Sequence, residues 1–250
     1  MSYVDLKESD GIATITLRRA PVNALNDQFL DELGAAFHGV AQDESIKAVV
    51  LTGEASFFSF GFDVPGFMSW SKDDFQSYIS KFSGLIKDMF MFQKPTIAAI
   101  NGHAVAGGCV LALACDYRII KSEKAKIALN EMTFGSTVFS CVTETLIYAV
   151  GAREGEKILY SGKMYSAQDA LNAGLVDKVS GEEEFLPDVT QIAQNFAEKD
   201  IKAFSSIKKM LKRDTLNRIN IYEKESISEF VDVWYSDSTR EQLAKIEIRS

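Results

Sequence analysis

The sequence predicts an α/β fold, a core in which buried strands alternate with helices, followed by a helical C-terminal part. Three observations carry this. Short apolar runs stopped by glycine or proline recur through the first 120 residues, amphipathic stretches of helical period separate them, and beyond residue 140 the pattern is largely helical. No Pro- or Ser-rich linker divides the 250 residues, and we place the core at 1–198 and the helical region at 199–250.

The elements follow in order. Ile12 to Leu17 alternates apolar and polar residues, as a half-buried strand does, and Ala20-Pro21 then turns the chain. From Asp27, a candidate N-cap, Phe29, Leu30, Leu33, Phe37 and Val40 fall on one helical face. Ala48 to Thr52 is a continuous apolar run ended by Gly53, which suits a strand covered on both faces. Residues 54–68, rich in Ser, Gly and Phe, read as a loop.

A long helix is expected over about 73–92, with Phe75, Tyr78, Ile79, Phe82, Leu85, Ile86 and Met89 three and four apart. Pro95 ends it, since the residue before a proline avoids helix. Thr96 to Ile100 is another buried strand, and Asn101-Gly102 leads to Gly107-Gly108 and a small-residue helix ending near Asp116. Tyr117 to Ile120 is the next strand. Helices follow at about 142–150, 153–160, 166–172 (opened by Ser166 with Asp169 three residues on), 185–198, 201–212 and 216–233, interrupted by a strand at Leu175 to Val179.

Composition excludes several function classes. With 35 Asp+Glu against 27 Lys+Arg the net charge is −8, which disfavours nucleic acid, a partner that clustered cations must neutralise. The one basic cluster, Lys208-Lys209 with Lys212-Arg213, reads as a solvated helix face, with contact to an anionic ligand as the alternative. Cys109, Cys115 and Cys141 are odd in number and lack metal-ligand spacing, so we expect reduced thiols and no metal. No secretory pattern opens the chain, Ile248-Arg249-Ser250 is not a peroxisomal ending, and no stretch is long enough to cross a bilayer. A cytoplasmic protein without a membrane partner is the expectation.

Two glycine turns follow buried strands, Ser59-Phe60-Gly61-Phe62-Asp63 and Ala106-Gly107-Gly108-Cys109, and such turns free backbone N–H groups to meet an anion. Neither is a phosphate loop, and no dinucleotide pattern or serine elbow is present. His38, on a polar helix rim, and His103, in a turn, lack the partners of a metal site or a histidine base. Glu131 differs. It sits in the otherwise uncharged Ala128-Leu129-Asn130-Glu131-Met132-Thr133-Phe134-Gly135, where burial would raise its pKa toward that of a general base; a surface-facing glutamate is the alternative.

Val22-Asn23-Ala24-Leu25, Ser59 to Asp63, Pro95 to Ala104, Gly107-Gly108, Ala114-Cys115-Asp116-Tyr117-Arg118 and Ala173-Gly174-Leu175-Val176-Asp177 resemble, in order and spacing, the crotonase (enoyl-CoA hydratase/isomerase) superfamily. The resemblance covers nearly the whole chain. It implies a spiral of β-β-α units with a C-terminal helical trimerisation region, an acyl-CoA thioester as substrate, no separate cofactor, and a homotrimer or hexamer. It puts an oxyanion hole on the N–H groups of Phe62 and Gly107, substrate and CoA contacts along Val22, Ser59, Phe60, Gly61, Phe62, Asp63, Gly107 and Phe134, and the catalytic acid/base on Glu131. Arg249 is a further candidate for the CoA phosphates.

Departures from the family pattern narrow the reaction. Its hydratases resemble one another in carrying two glutamates, and here Val110 stands at the first position while Glu131 keeps the second. Ser136-Thr137-Val138-Phe139 offers none of the further carboxylates of the dienoyl isomerases and dehalogenases. A single carboxylate matches the 3,2-enoyl-CoA isomerases. Hydration, decarboxylation or hydrolysis of an acyl-CoA, and acyl-CoA binding without catalysis, are the alternatives. Nine of the 17 phenylalanines lie between Phe57 and Phe92, around the first glycine turn and the helix after it, so a subset is placed to line a pocket for an apolar acyl group.

Overall fold

The computed structural model describes residues 2–122 and 124–246. Arg249 lies outside them. Strands β1 (Val4–Ser9) and β2 (Ile12–Leu17) form an antiparallel hairpin that opens a six-stranded sheet. β3 (Ala48–Gly53), β5 (Thr96–Ile100), β7 (Tyr117–Lys121) and β10 (Lys178–Ser180) continue it in parallel, in the order β1-β2-β3-β5-β7-β10. A second sheet holds β4 (Phe57–Ser59), β6 (His103–Val105), β8 (Lys126–Ala128) and β9 (Tyr165–Ser166), the first three parallel.

The chain thus winds as expected in strand-strand-helix turns, each giving one strand to each sheet. β3 and β4 precede α3 (Lys72–Phe90), β5 and β6 precede α4 (Gly107–Ala114), and β7 and β8 precede α5 (Ser140–Val150). The continuous apolar run at 48–52 has the predicted cause. Val49 and Leu51 enter the main core with Phe29, Phe82 and Leu111, whereas Ala48 and Val50 face Phe185, Val189 and Ala193 of α8 (Phe185–Ala197). Among the described residues no helix is long and apolar enough to cross a membrane.

Local chemistry sets the helix ends. α1 (Asp27–Gln42) is capped by Asn26, whose side chain accepts from Phe29 N, so Asp27 is the first helical residue rather than the cap. Ser71 caps α3, and Ser166 caps α7 (Ala167–Asn172) through Asp169 N. The expected loop at 54–68 contains β4 and a short helix, α2 (Val64–Phe67), capped by Asp63. His103 lies in β6 rather than in a turn. β10 starts later than predicted, at Lys178 paired with Ile119; just before it the Arg118 side chain donates to Leu175 O and Asp177, and Asp177 N donates to Arg118 O.

α6 (Ala152–Ser161) follows α5, and after α8 a C-terminal helix, α9, runs unbroken from Ile201 to Trp234. We expected a break near Asp214-Thr215, but Thr215 is buried and its hydroxyl accepts from Arg218, so packing overrides weak helix propensity. α9 joins the main core through Ile219, Ile227, Phe230, Val231 and Trp234. α10 (Asp237–Leu243) ends the described elements.

The basic cluster on α9 is divided: Lys209 and Arg213 are exposed, as a solvated face requires, whereas Lys208 and Lys212 are not. Lys208 and Lys212, one turn apart, are 5% and 4% exposed and grip the two carboxylate oxygens of Asp116 at 2.7 and 2.8 Å. Lys212 also donates to Phe90 O. The two ammonium groups hold the Asp116 carboxyl below its ordinary value. Burial pulls Lys212 down to about 8.

Candidate active site

The first glycine turn is aligned by the segment Val22 to Leu25. Phe60 N donates to Val22 O, Leu25 N to Gly61 O and Asp63 N to Leu25 O, which makes Phe62 the parallel partner of Leu25. Alternation along a parallel pair then directs the Phe62 N–H away from Leu25, and among the described residues it has no protein acceptor. Asn23 anchors this arrangement, accepting from Arg19 N and donating to Phe57 O and Phe58 O.

The second turn supplies a matching donor. Ala106 N donates to Ala128 O, and Ala106 then adopts φ 49° and ψ −119°, a costly conformation for a residue with a Cβ. It begins α4 abruptly, so the N–H of Gly107 opens the helix without an intrahelical partner. The two turns touch. With φ +91°, Gly61 approaches so closely that a Cβ on it would lie 2.8 Å from Val105 O and 3.0 Å from Gly107 N.

Glu131 begins a single 3-10 turn, Glu131–Phe134, closed by Gly135 in the left-handed region. Thr239 of α10 fixes that turn through a 2.7 Å bond to Gly135 O. The Glu131 carboxylate is desolvated, its Oε2 buried without a hydrogen-bond partner among the described residues, and burial pushes its pKa up to about 7, opposed by its own backbone N–H. Asn130, at the N-cap position, makes no capping bond.

One cavity of about 210 Å³ joins these parts. Glu131, Phe62, Gly107, Phe60 and Phe134 all line it, with Val110 beside them and with Val105, Ala106, Asn130 and the strip from Ser136 to Phe139 around them. Its inner wall comes from Phe82 of α3, Val142 of α5, and Phe230 and Trp234 of α9. Apart from Glu131, no carboxylate among the described residues lines it. Two backbone N–H donors lining the same cavity as one desolvated carboxylate can hold a developing oxyanion while a proton leaves the adjacent carbon.

Other predicted contact residues lie outside this lining. Ser59 is fully buried, donating to Asn23 O and accepting from Gly61 N, so it braces the turn. Gly61 contributes its backbone geometry. Asp63 pairs with Arg19 and caps α2, and both residues line a separate open groove that meets the cavity at Ile246. Val22 lines neither, and its carbonyl is taken by Phe60 N. Sequence reasoning missed Phe230 and Trp234 as wall residues, because their spacing on α9 signals burial without saying against what.

The chain matches the sequence model of the family described as "Enoyl-CoA hydratase/isomerase" over residues 7–248. It is 30% identical over 248 residues to a probable enoyl-CoA hydratase of Bacillus subtilis, covering 97% of this chain and 95% of that protein. It is also 30% identical to the human mitochondrial enoyl-CoA delta isomerase 1, over 93% of this chain and 78% of that one. Among solved structures, the human mitochondrial delta3-delta2-enoyl-CoA isomerase superposes with a TM-score of 0.90 at 30% identity, covering 97% of this chain and 95% of that one.

Proposed function

Because the chain belongs to the enoyl-CoA hydratase/isomerase family, we propose that its reaction is the conversion of a 3-enoyl-CoA to a 2-enoyl-CoA, with Glu131 as the sole proton carrier. The observation that carries this reading is the composition of the cavity: one desolvated carboxylate, two unpartnered backbone donors, and an apolar Val110 beside them. The Glu131 carboxylate removes a proton from C2. The C2–H electrons form a C1–C2 double bond while the carbonyl pair moves to the thioester oxygen, giving a dienolate held by the N–H groups of Phe62 and Gly107. The same carboxyl returns its proton to C4; the carbonyl re-forms, and the double bond now lies between C2 and C3. One acid/base suffices because C2 and C4 flank the same carbon.

Hydration is the second reading, favoured by the hydratase relative at equal identity. It requires a group to position water and manage a second proton, and Val110 supplies none. The phenylalanine and valine lining supports an apolar acyl group without a polar head, and the groove along Arg19 and Asp63 is the direction we assign to the CoA moiety. We also propose a homotrimer or hexamer, supported by Ile207, Met210, Leu211, Ile221 and Tyr222, which leave apolar surface exposed along α9. Assaying purified protein with 3-enoyl- and 2-enoyl-CoA decides the reaction: isomerisation must exceed hydration, and fast hydration without double-bond shift overturns it.

A further inference from the structure

Phe62 brings a donor and a large side chain to the same point of the cavity. Its ring lies against the second turn, and a Cβ on Gly107 would stand 3.2 Å from its Cε1 and 3.3 Å from its Cδ1. Three edge-on aromatic neighbours hold the ring there: Phe82 at 5.0 Å, Tyr78 at 5.4 Å and Phe67 at 6.4 Å between centroids. All three are almost wholly buried, and the Tyr78 hydroxyl is tied to Leu25 O, so packed neighbours back the ring on the side away from the cavity.

The position of a bound thioester follows from the two donors, and to that extent the argument rests on the function proposed above. An oxygen accepting from the N–H groups of Phe62 and Gly107 sets the carbonyl carbon beside both residues, with C2 one bond further toward Glu131. The Phe62 ring, packed against Gly107, is then a wall beside C1 and C2. We propose that this ring makes the site selective for acyl groups unbranched at C2. A methyl group on C2 has to displace a ring that its neighbours hold, whereas a straight chain continues into the apolar cavity that Val142 and Phe230 help to line.

Binding of saturated thioesters, which have no double bond to shift, tests this independently of turnover. Hexanoyl-CoA and the two separate epimers of 2-methylhexanoyl-CoA are titrated calorimetrically into the wild-type protein, Phe62→Ala and Phe62→Leu. The wild type is expected to bind the straight chain about 10- to 200-fold more tightly than either epimer, the range one misfitted methylene unit produces in an apolar pocket. That ratio should shrink in Phe62→Ala, mainly by tighter binding of the branched ligands, with Phe62→Leu intermediate. If Phe62→Ala does not fold by circular dichroism, the milder Phe62→Leu decides. Equal wild-type affinity for straight and branched ligands overturns the proposal, and so does an unchanged ratio in a folded variant. An absent isomerase activity alongside intact selectivity would instead overturn the reaction and leave the selectivity standing.

Discussion

The carbonyl oxygen of Ser59 occupies the place a side chain on Gly108 would need, since a Cβ there would come within 2.2 Å of it. Ser59 cannot retreat, because its hydroxyl is bound to Asn23 O and its peptide leads directly into the first donor turn. Replacing Gly108 by Ala therefore forces the two donor turns apart. We expect it to lower unfolding stability by about 1–3 kcal/mol, the usual cost of overpacking, and to reduce kcat more than it raises KM. Thermal melts and steady-state kinetics check this; a variant with wild-type kcat and stability would contradict the close contact.

Removing the Glu131 charge separates catalysis from stability. Glu131→Gln should lower isomerisation by about 10²- to 10⁴-fold, the range general acid-base groups contribute, while straight-chain acyl-CoA affinity is retained. Burial pushes this carboxyl from 4.5 up to about 7, so between those values the folded chain holds a proton the unfolded chain has released. Stability from this group accordingly falls as pH rises through that window. The amide escapes that loss, and the variant should melt no lower than the wild type at pH 8.

The same carboxyl governs the pH profile. As the base must be ionised before substrate arrives, kcat/KM should rise with pH and level off above about 7. Stopped-flow or steady-state measurements between pH 5 and 9 read it directly. A plateau that begins near 4.5 would mean that the carboxylate is hydrated in the free protein.

A second acid beside the first should change the chemistry. Val110→Glu puts a carboxyl in the same cavity as Glu131, and two like charges at close range resist joint ionisation. We expect isomerisation at pH 7 to fall, the apparent pKa to climb, and hydration of 2-enoyl-CoA to become measurable. Parallel assays of both reactions across pH would show it; an unshifted profile would place residue 110 away from the reacting groups.

Asp116 supplies the counter-charge that two buried lysines share. Asp116→Asn leaves Lys208 and Lys212 facing each other without a counter-charge, and we expect a loss of about 3–5 kcal/mol, as for a broken buried ion pair. Because the aspartate pKa is depressed in the folded chain, its contribution is present above the unfolded value and disappears as pH falls through the folded one. Urea unfolding of wild type and variant at neutral and acid pH should therefore converge at the acid end.

Much of this molecule can be read from local pattern. The helical face of Phe75, Tyr78, Ile79 and Phe82 and the doubly covered run at 48–52 needed no long-range information, because periodicity reports burial directly. The donor turns were legible as glycines after strands, and resemblance supplied their pairing with Glu131. What stayed hidden depends on distant partners. Lys208 and Lys212 look solvated until Asp116 is brought beneath them, and Phe230 and Trp234 look like ordinary core until the cavity is seen at their edge. β4 and α2 escaped detection for another reason, being three and four residues long in a stretch where Ser, Gly and Phe give conflicting propensities.

The continuity of α9 has a dynamic consequence. One end of this helix is bolted to Asp116 and the other furnishes two residues of the cavity wall. Any excursion that peels its last turns from α3 and α5 opens the side of the pocket, so occupancy and helix docking are thermodynamically linked. A ligand held against Phe230 and Trp234 should then slow amide hydrogen exchange along the C-terminal half of α9, including positions more than a helical turn from any atom of the ligand.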